Sequence, residues 1–503
     1  MHSKASHKPG SRPTSAALHG PSVTLVSSSS LPAVCPAGTE PDSQCDCACY
    51  AVEGQELPPL SAPVSFYLEL TAACHNHCPG CGNVFTSRQS SWQGNAPVRP
   101  PRSNGSFLPA STWQAILDRL EPYAFRLKLT GGEPTLHPEF EAIVEHVAAL
   151  DVPFALLTNG RWPRATRVVD LLKRVPRFEG VLISLHGPDA ARHQAFTHTP
   201  GSFDQALVGL RLALGADLPA SLSCVITAHN WHLVDEMVDL GQRLGVQSVV
   251  FNRYLASNLA ASSLAASNST ATGNSMAASN SAAGAGSLVP EDDQLRTAVE
   301  RVLALRAGGA PVKLGNCLPA CFVESEQAGC LAGLAFFTVD PWGRVRPCNH
   351  APLVCGSLPQ QSVDEIWHSD AMERWRGAYP ALCRTCPAVA TCRGGCRAEA
   401  LYQSDGADPL MRAPLPAPEA PAPEPLLLYE HARPLARFRR RDEAFGPLLI
   451  CGNRLLPLAA EAVPVLTHLD GNTTLRQIQV LHGAAGLSLV GRLYQEGMVE
   501  LLN

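Results

Sequence analysis

A regular alternation of short apolar runs with amphipathic segments, between residues 64 and 251, constrains the fold more than any other feature. Six apolar runs have the length and composition of buried strands: Val64–Leu70, Phe125–Leu129, Phe154–Thr158, Gly180–Leu185, Ala220–Ile226 and Gln247–Phe251. Helical segments lie between them, at Ser111–Leu120, Pro138–Leu150, Ala165–Val175, Phe203–Leu214 and Trp231–Leu244. Right-handed crossovers would wind these elements into a parallel α/β sheet, either open or a partial (β/α)6 barrel.

Length and charge narrow the class of protein. A chain of 503 residues predicts about three domains. The formal net charge of −5 gives no basic surface for nucleic acid or an anionic membrane. No apolar run reaches the roughly 18 residues of a membrane-spanning helix, and no secretory signal begins the chain. We therefore predict a cytoplasmic, reducing setting in which the 18 cysteines hold metals rather than disulfides.

The first cysteine motif follows the first predicted strand directly. Cys74, Cys78 and Cys81 form a CxxxCxxC pattern. Three thiolates on one short loop can hold three irons of a 4Fe–4S cluster and leave the fourth iron open to a small ligand. A zinc site completed by His75 or His77 is the alternative, because structural zinc takes four protein ligands.

A second motif, Thr130-Gly131-Gly132-Glu133-Pro134, ends the second predicted strand. Two glycines let the backbone approach a ligand closely, and Glu133 offers a carboxylate to an ammonium group. An ordinary Gly-Pro turn is the alternative. Because the ends of successive parallel strands meet at one mouth of a barrel, the two motifs together predict one site.

These two motifs, in this order, resemble the radical S-adenosylmethionine (radical SAM) family over residues 64–255. The resemblance implies that the cluster is bound by Cys74, Cys78 and Cys81, and that its open iron chelates SAM. It implies SAM contacts from Gly131, Gly132 and Glu133, and from Asn159 and Ser184 at later strand ends. It also implies that SAM is cleaved to a 5′-deoxyadenosyl radical that abstracts hydrogen from the substrate.

A second group of cysteines has the spacing of the SPASM domain, an extension of radical SAM enzymes that mature peptides and proteins. The resemblance implies up to two auxiliary 4Fe–4S clusters. The preferred first set is Cys321, Cys330, Cys348 and Cys396, with Cys317 a rival for the first position. The second set is Cys383, Cys386 and Cys392, completed by Cys355, by Cys317 or by no cysteine. A pair of zinc sites is the alternative.

The other cysteines are predicted to be structural or incidental. Cys224 and Cys451 are expected to be buried core thiols. Four more lie in the N-terminal tail, where Cys45, Cys47 and Cys49 are spaced closely enough to bind a metal. We expect these tail cysteines, with Cys35, to be incidental, because a poorly ordered segment supports a site weakly.

Composition and the two resemblances together divide the chain into five parts: a disordered tail (1–60), the radical SAM partial barrel (61–310), a SPASM domain (311–412), a Pro/Ala linker (413–425) and a C-terminal domain (426–503). A low-complexity insertion, 255–287, interrupts the barrel. The C-terminal domain is predicted to be a small winged-helix-like α+β fold. Its elements are a hairpin at Gly452-Asn453, helical stretches Ala459–Leu469, Thr474–Leu481 and Leu487–Gln495, and a last strand.

The C-terminal domain resembles the peptide chaperone of pyrroloquinoline quinone biosynthesis and related precursor-recognition elements. The likeness rests on Leu469-Asp470-Gly471, Thr474-Leu475 and Gly497-Met498-Val499. It implies capture of a precursor's leader peptide as an added strand, with the linker tethering it near the barrel. The absence of a basic face also favours a peptide over DNA as its ligand.

These features predict a maturase of a ribosomally made precursor peptide that forms a cross-link, a thioether or an epimerised residue. The cofactors would be SAM, its 4Fe–4S cluster and one or two auxiliary clusters. An electron donor such as flavodoxin or ferredoxin would be a further partner. The catalytic residues remain unassigned. A maturase of a folded target such as a sulfatase is one alternative, and a zinc-binding winged-helix adaptor or regulator is another.

Overall fold

The computed structural model describes residues 20–26, 51–52, 57–79, 81–83, 107–255, 288–323, 329–401, 403, 405–412, 414–415 and 425–502. The chain divides into two units, Ser43–Pro418 and a second made of Met1–Asp42 with Glu419–Asn503. The four tail cysteines, the low-complexity insertion after Leu255 and most of the Pro/Ala linker lie outside the described residues.

The larger unit is built on one sheet of ten strands. They are β1 Ser65–Glu69, β2 Arg126–Thr130, β3 Phe154–Thr158, β4 Phe178–Ser184, β5 Ala220–Ile226, β6 Val249–Arg253, β7 Val312–Leu314, β8 Phe336–Val339, β9 Arg344–Arg346 and β10 Gly356–Ser357. Their order is β10-β9-β8-β1-β2-β3-β4-β5-β6-β7. The six predicted strands are confirmed: they are parallel and lie in chain order. Among the described residues the sheet stays open.

Helices cover the strand connections, as the alternating pattern predicts. They are α1 Ala110–Leu120, α2 Phe140–Ala149, α3 Ala165–Arg174, α4 Ala190–Thr197, α5 Ser202–Gly215, α6 Val234–Leu244 and α7 Asp292–Ala307. The sequence analysis missed α4, a short helix that Asp189 caps through the amide of Arg192. None of the helices in the described part of the chain has both the length and the apolar character needed to cross a bilayer.

The region after β7 consists of short elements held by a small apolar cluster. Its helices are Val363–Trp367, Asp370–Arg376, Val389–Cys392 and Arg397–Ala400. Trp367 and Trp375 are both buried, and their indole nitrogens donate to the carbonyls of Leu60 and Ala332. Trp367 therefore joins this region to the segment before β1, and Trp375 holds the region together internally.

Two buried ion pairs connect strand ends of the sheet to this cysteine-rich region. Glu69, at the end of β1, pairs with Arg346. Arg253, at the end of β6, pairs with Asp408 at 2.9 Å. All four side chains are almost completely buried, so each charge depends on its partner for solvation. Removing one partner would leave an uncompensated charge at the junction.

Arg346→Met should destabilise the protein by about 3–5 kcal/mol, because Glu69 would be left buried without its counter-charge. The variant also removes donors to the carbonyls of Asn349 and Ala351, each at 2.9 Å. Thermal unfolding followed by circular dichroism measures the loss. Arg174→Met is the matched control: its pair with Glu145 is exposed, so its loss should cost less than about 1 kcal/mol. Equal losses in the two variants would refute the anchoring role.

The smaller unit combines short strands with two helices. Its strands are Val23–Val26, Leu426–Tyr429, Arg433–Ala436, Arg439–Glu443, Gly446–Cys451, Arg454–Pro457 and Val499–Leu502, and its helices are Val463–Leu466 and Leu475–Gln495. The predicted hairpin turn and final strand are present, and Thr474 and Gln477 form a capping box at the start of the longer helix. The second and third predicted helical stretches form one assigned helix, which Gly483 interrupts with a left-handed conformation (φ 66°).

Two segments form strands within residues 1–60, where a disordered tail was expected: Val23–Val26 and Ala51–Val52. Val23–Val26 forms a strand that pairs in parallel with Leu426–Tyr429. Val23 and Leu25 pack against the apolar core of the smaller unit. The physical reason is local, since alternating aliphatic residues supply one apolar strand face in an otherwise polar tail.

Candidate active site

A cavity of about 340 Å³ opens at the carboxyl ends of the parallel strands. This size suits a small-molecule site. Polar residues from the ends of five consecutive strands, β2 to β6, line its wall: Thr130, Asn159, Ser184, Ser223 and Asn252. The parallel sheet places these residues side by side, although they are far apart in sequence.

The loop after β1 brings Cys74, Cys78 and Cys81 to this cavity. Neighbouring elements hold the loop in place. The amide of His77 donates to the carbonyl of Thr197 at 2.9 Å. The Arg161 guanidinium donates to the carbonyl of His75 at 2.8 Å. The structure therefore brings together the three cysteines that the CxxxCxxC spacing selected.

The surroundings of the three thiols fit a group that neutralises negative charge. Burial raises the pKa of Cys81 to about 11, and burial with the neighbouring thiols raises the pKa of Cys78 well above its usual value. The amide of Asn76 and the Asn159 side chain approach the Cys74 sulfur at 3.5 and 3.9 Å. Iron binding would provide the positive charge that these thiolates need and would release their protons.

The donor spacing bears on the choice between a cluster and zinc. Within the part of the chain that the structure describes, no three His, Cys, Asp or Glu side chains converge as they would on one metal ion. Four thiolates around a single zinc would each lie about 2.3 Å from it. In a 4Fe–4S cluster each thiolate binds a different iron, so the sulfurs stand further apart. Three thiolates on one loop, with no fourth side chain converging on them among the described residues, suit a cluster that keeps one iron open.

Gly131 and Gly132 pass close to the backbone of the cluster loop. Gly131 has a left-handed φ of 149°, and a Cβ on Gly132 would lie 2.3 Å from the carbonyl oxygen of Ala73. The amides of Gly132 and Glu133 donate to the carbonyls of Thr71 and Ala73, both at 2.7 Å. The two glycines thus join the second motif to the first, and both line the cavity.

The Glu133 side chain lies behind this turn and does not line the cavity. Its carboxylate accepts hydrogen bonds from the Thr135 hydroxyl (2.7 Å), the Thr158 hydroxyl (2.9 Å) and the Asn159 amide (2.8 Å). Burial raises the pKa of Glu133, while these donors oppose the rise. Glu133 thus joins the ends of β2 and β3, and its contact with an ammonium group stays a prediction.

Gly132→Ala should lower SAM cleavage roughly tenfold or more, because the new Cβ would push the cluster loop away from the turn. The measurement is 5′-deoxyadenosine formed per mole of protein after anaerobic cluster reconstitution. Gly215→Ala, with no atom within 4 Å of the new Cβ, is the control and should leave the rate unchanged. Wild-type cleavage by Gly132→Ala would contradict the proposed packing.

Of the other predicted SAM contacts, Asn159 and Ser184 both line the cavity. The structure adds Ser223, which the sequence analysis passed over. It lies opposite Ser184 in the sheet and accepts a hydrogen bond from the Asn252 amide at 3.0 Å. A polar residue in the otherwise apolar strand Ala220–Ile226 was the available signal.

Four further cysteines line the same cavity: Cys317, Cys330, Cys348 and Cys396. The neighbouring thiols of Cys330 and Cys396, together with burial, raise the pKa of Cys317 well above its usual value. The contact from Cys317 lowers the pKa of Cys330 to about 6, and two nearby arginines add to that effect. The structure thus places Cys317, and not the preferred Cys321, with the first auxiliary set.

A buried arginine beside this set fits an anionic group. The three guanidinium nitrogens of Arg397 are buried and have no hydrogen-bond acceptor among the described residues. The side chain stacks over Tyr379, with the guanidinium carbon 4.9 Å from the ring centre, and its charge lowers the pKa of Cys330. A cluster bound by four thiolates is negatively charged, so it would compensate this otherwise unpaired cation.

The remaining ligand candidates surround a separate hollow in the same unit: Cys321, Cys383, Cys386 and Cys392. The amides of Ala320 and Arg412 donate to the sulfurs of Cys392 and Cys321, both at 3.3 Å. Burial, followed by the three neighbouring thiols, raises the pKa of Cys383 to about 11. Cys321 therefore occupies the fourth position that the sequence left open.

Three other cysteines lie away from both sets. Cys355 is buried after β9 and lines neither cavity. Cys224 is inside β5, where burial raises its pKa to about 12. Cys451 is half-buried at the end of its hairpin strand. The prediction of a buried core thiol is confirmed for Cys224, and Cys355 has the same character.

Comparisons with known proteins agree with this geometry. Residues 68–241 match the radical SAM superfamily, and residues 330–387 match SPASM, an iron-sulfur cluster-binding domain. The chain is 28% identical over 407 residues to the PqqA peptide cyclase of Xanthomonas campestris pv. campestris (strain B100), covering 76% of this chain and 96% of that protein. It is 28% identical over 361 residues to the PqqA peptide cyclase of Streptomyces rochei, covering 68% and 86%.

Among solved structures, Streptococcus suis SuiB bound to its precursor peptide SuiA aligns with a TM-score of 0.53 at 15% identity. The alignment covers 69% of this chain and 75% of SuiB, and at that identity it supports the fold alone. The site and the two domain matches define the class. The chain carries a radical SAM domain and an iron-sulfur cluster-binding SPASM domain, and it is similar to enzymes of that class.

Proposed function

We propose that this enzyme modifies a ribosomally made precursor peptide by hydrogen abstraction. The observation that carries the proposal is one cavity lined by both the CxxxCxxC cysteines and an auxiliary cysteine set. Matches to PqqA peptide cyclases along 96% of the Xanthomonas protein support a peptide substrate. Their name favours a ring-closing cross-link over a thioether or an epimerised residue.

The proposed ligand sets follow the cavities. Cys74, Cys78 and Cys81 hold the SAM cluster, and the chemistry that this cluster and SAM supply when bound is hydrogen abstraction by an adenosyl radical. Gly131, Gly132, Asn159 and Ser184 contact SAM. The first auxiliary set is Cys317, Cys330, Cys348 and Cys396, and the second is Cys321, Cys383, Cys386 and Cys392.

The chain's own residues bind and orient the reactants. The cavity wall offers hydroxyl and amide groups from successive strands, which would bind and orient SAM and the substrate. Arg346 donates to the carbonyls of Asn349 and Ala351 and so orders the loop that carries Cys348. Arg397 holds positive charge beside Cys330.

The partners are proposed from the chemistry. The reaction needs an external electron, and a low-potential carrier such as flavodoxin or ferredoxin would supply it. We assign leader-peptide binding to the smaller unit, because short exposed strands can accept an added strand. Cluster ligation needs free thiolates, so a reducing compartment such as the cytoplasm suits the enzyme.

The test of function is turnover. Anaerobically reconstituted protein, SAM, dithionite and the short peptide encoded beside the gene should yield 5′-deoxyadenosine and a modified peptide. A cross-link removes the mass of two hydrogen atoms, whereas epimerisation leaves the mass unchanged, so mass spectrometry separates them. SAM cleavage that leaves both the mass and the stereochemistry of that peptide unchanged would argue against a peptide maturase.

The ligand sets predict the iron content. Wild-type protein should bind about twelve irons, from about three clusters. Cys321→Ser should lose about four of them while SAM cleavage persists, because its cavity is separate from the SAM site. Cys355→Ser is the matched control, since its thiol lines neither cavity, and should keep the full content. Loss of iron from Cys355→Ser but not Cys321→Ser would reverse the assignment.

A further inference from the structure

The smaller unit contains a strand pair formed by segments from opposite ends of the sequence. Val23–Val26 runs parallel to Leu426–Tyr429, with Val23 opposite Leu426 and Val26 opposite Tyr429. The Leu426 amide donates to the Ser22 carbonyl at 2.9 Å. The Gly20 amide donates to the Ser488 hydroxyl at 2.9 Å, across 468 positions of sequence.

The helix Leu475–Gln495 packs against the segment Gly20–Val26. A Cβ on Gly491 would lie 2.5 Å from the Val23 side chain, so the helix offers a glycine where the strand approaches most closely. A Cβ on Gly20 would in turn lie 2.2 Å from the Ser488 carbonyl oxygen. Close approach therefore depends on small residues on both partners.

The pairing has the character of a docked peptide rather than of a sheet element. It is a two-stranded parallel pair, and within the described residues Leu426–Tyr429 has no second neighbouring strand. Parallel strands normally belong to sheets covered on both faces, and an isolated two-stranded pair is marginally stable. Its stability must come from packing of Val23 and Leu25 on the apolar core.

We propose that the edge of Leu426–Tyr429, with the helix beneath it, is a peptide-binding site that the chain's own segment Gly20–Val26 occupies. The site takes an extended, uncharged peptide. The first residue of this peptide must be small, because it lies close to the helix. After it, aliphatic residues that face the core must alternate with residues that face solvent. Gly20–Val26 has this pattern: Val23 and Leu25 face the core, whereas Ser22 and Thr24 are exposed.

The occupied site has a consequence for leader binding, which rests on the function proposed above. An external strand must displace a tethered one, and tethering gives the internal segment a high effective concentration. The apparent affinity for a leader is the affinity of the open edge multiplied by the fraction of molecules in which that edge is open. The segment would therefore act as an internal competitor that sets a threshold for precursor binding.

The test uses the full-length chain and a fluorescent peptide that spans residues 18–28. Val23→Asp should release the internal segment, because a carboxylate would have to be buried beside Gly491. The labelled peptide should then bind about tenfold more tightly than it binds wild type, as measured by fluorescence anisotropy. Backbone amides of Leu426–Tyr429 should also exchange hydrogen about tenfold faster in the absence of peptide.

Thr24→Asp is the matched control, since it adds the same charge on the exposed face of the same strand. It should match wild type in both measurements. Gly20→Ala is a second route to release that adds no charge. Equal peptide affinity in wild type and Val23→Asp, or failure of either release variant to bind the peptide, would overturn the proposal.

These measurements do not depend on the precursor. Peptide binding and amide exchange need no SAM and no substrate, so they succeed even if the enzyme modifies something other than a peptide. Conversely, turnover of a precursor with unchanged exchange in Val23→Asp would leave the proposed function intact and remove the internal competitor.

Discussion

The buried pair of Glu69 and Arg346 is the interaction on which the active site depends most. Glu69 ends the strand that leads into the CxxxCxxC loop, and Arg346 lies two residues before Cys348. Arg253 and Asp408 repeat this arrangement on the far side of the cavity, where Asp408 also accepts the Cys396 amide at 2.7 Å. Each pair therefore joins a strand end of the sheet to an auxiliary cysteine.

Buried ion pairs contribute little net stability, because desolvation offsets their attraction, but they penalise any arrangement that separates the charges. That penalty is useful in this enzyme. The two pairs fix the auxiliary cysteines relative to the strand ends, and electron transfer between the proposed clusters would require such a fixed separation. His350 adds a third connection, with its ring nitrogen 3.1 Å from the Gly82 carbonyl, next to Cys81.

Local patterns predicted most of the larger unit. The alternating strands and helices specified the parallel sheet, because burial and periodicity are properties of short segments. The positions of the CxxxCxxC and GGEP motifs could be predicted because each motif directly follows a strand. The choice between Cys317 and Cys321 was different. Both cysteines lie before the part of the sequence whose spacing resembles the SPASM domain. The turn at Pro319-Ala320 lies between them, so Cys317 lines the larger cavity and Cys321 lines the smaller one.

Long-range contacts explain the other departures from expectation. The hydrogen bonds of Glu133 could not be predicted, because its partners, Thr158 and Asn159, belong to the next strand and lie outside the motif itself. Composition assigned Val23–Val26 to a disordered tail, since four residues cannot form a stable strand alone.

The parallel pair at the chain's two ends also constrains how the smaller unit can work. An unoccupied edge strand exposes unpaired backbone groups and invites pairing with other chains. Occupation by the chain's own segment protects that edge, yet a short uncharged strand adds few contacts and can be exchanged for a similar one. The features that make Gly20–Val26 a suitable cover, small residues against the helix and two aliphatic side chains on the core, are therefore those that a competing peptide must reproduce. Protection of the edge and selectivity for its ligand thus have the same physical origin.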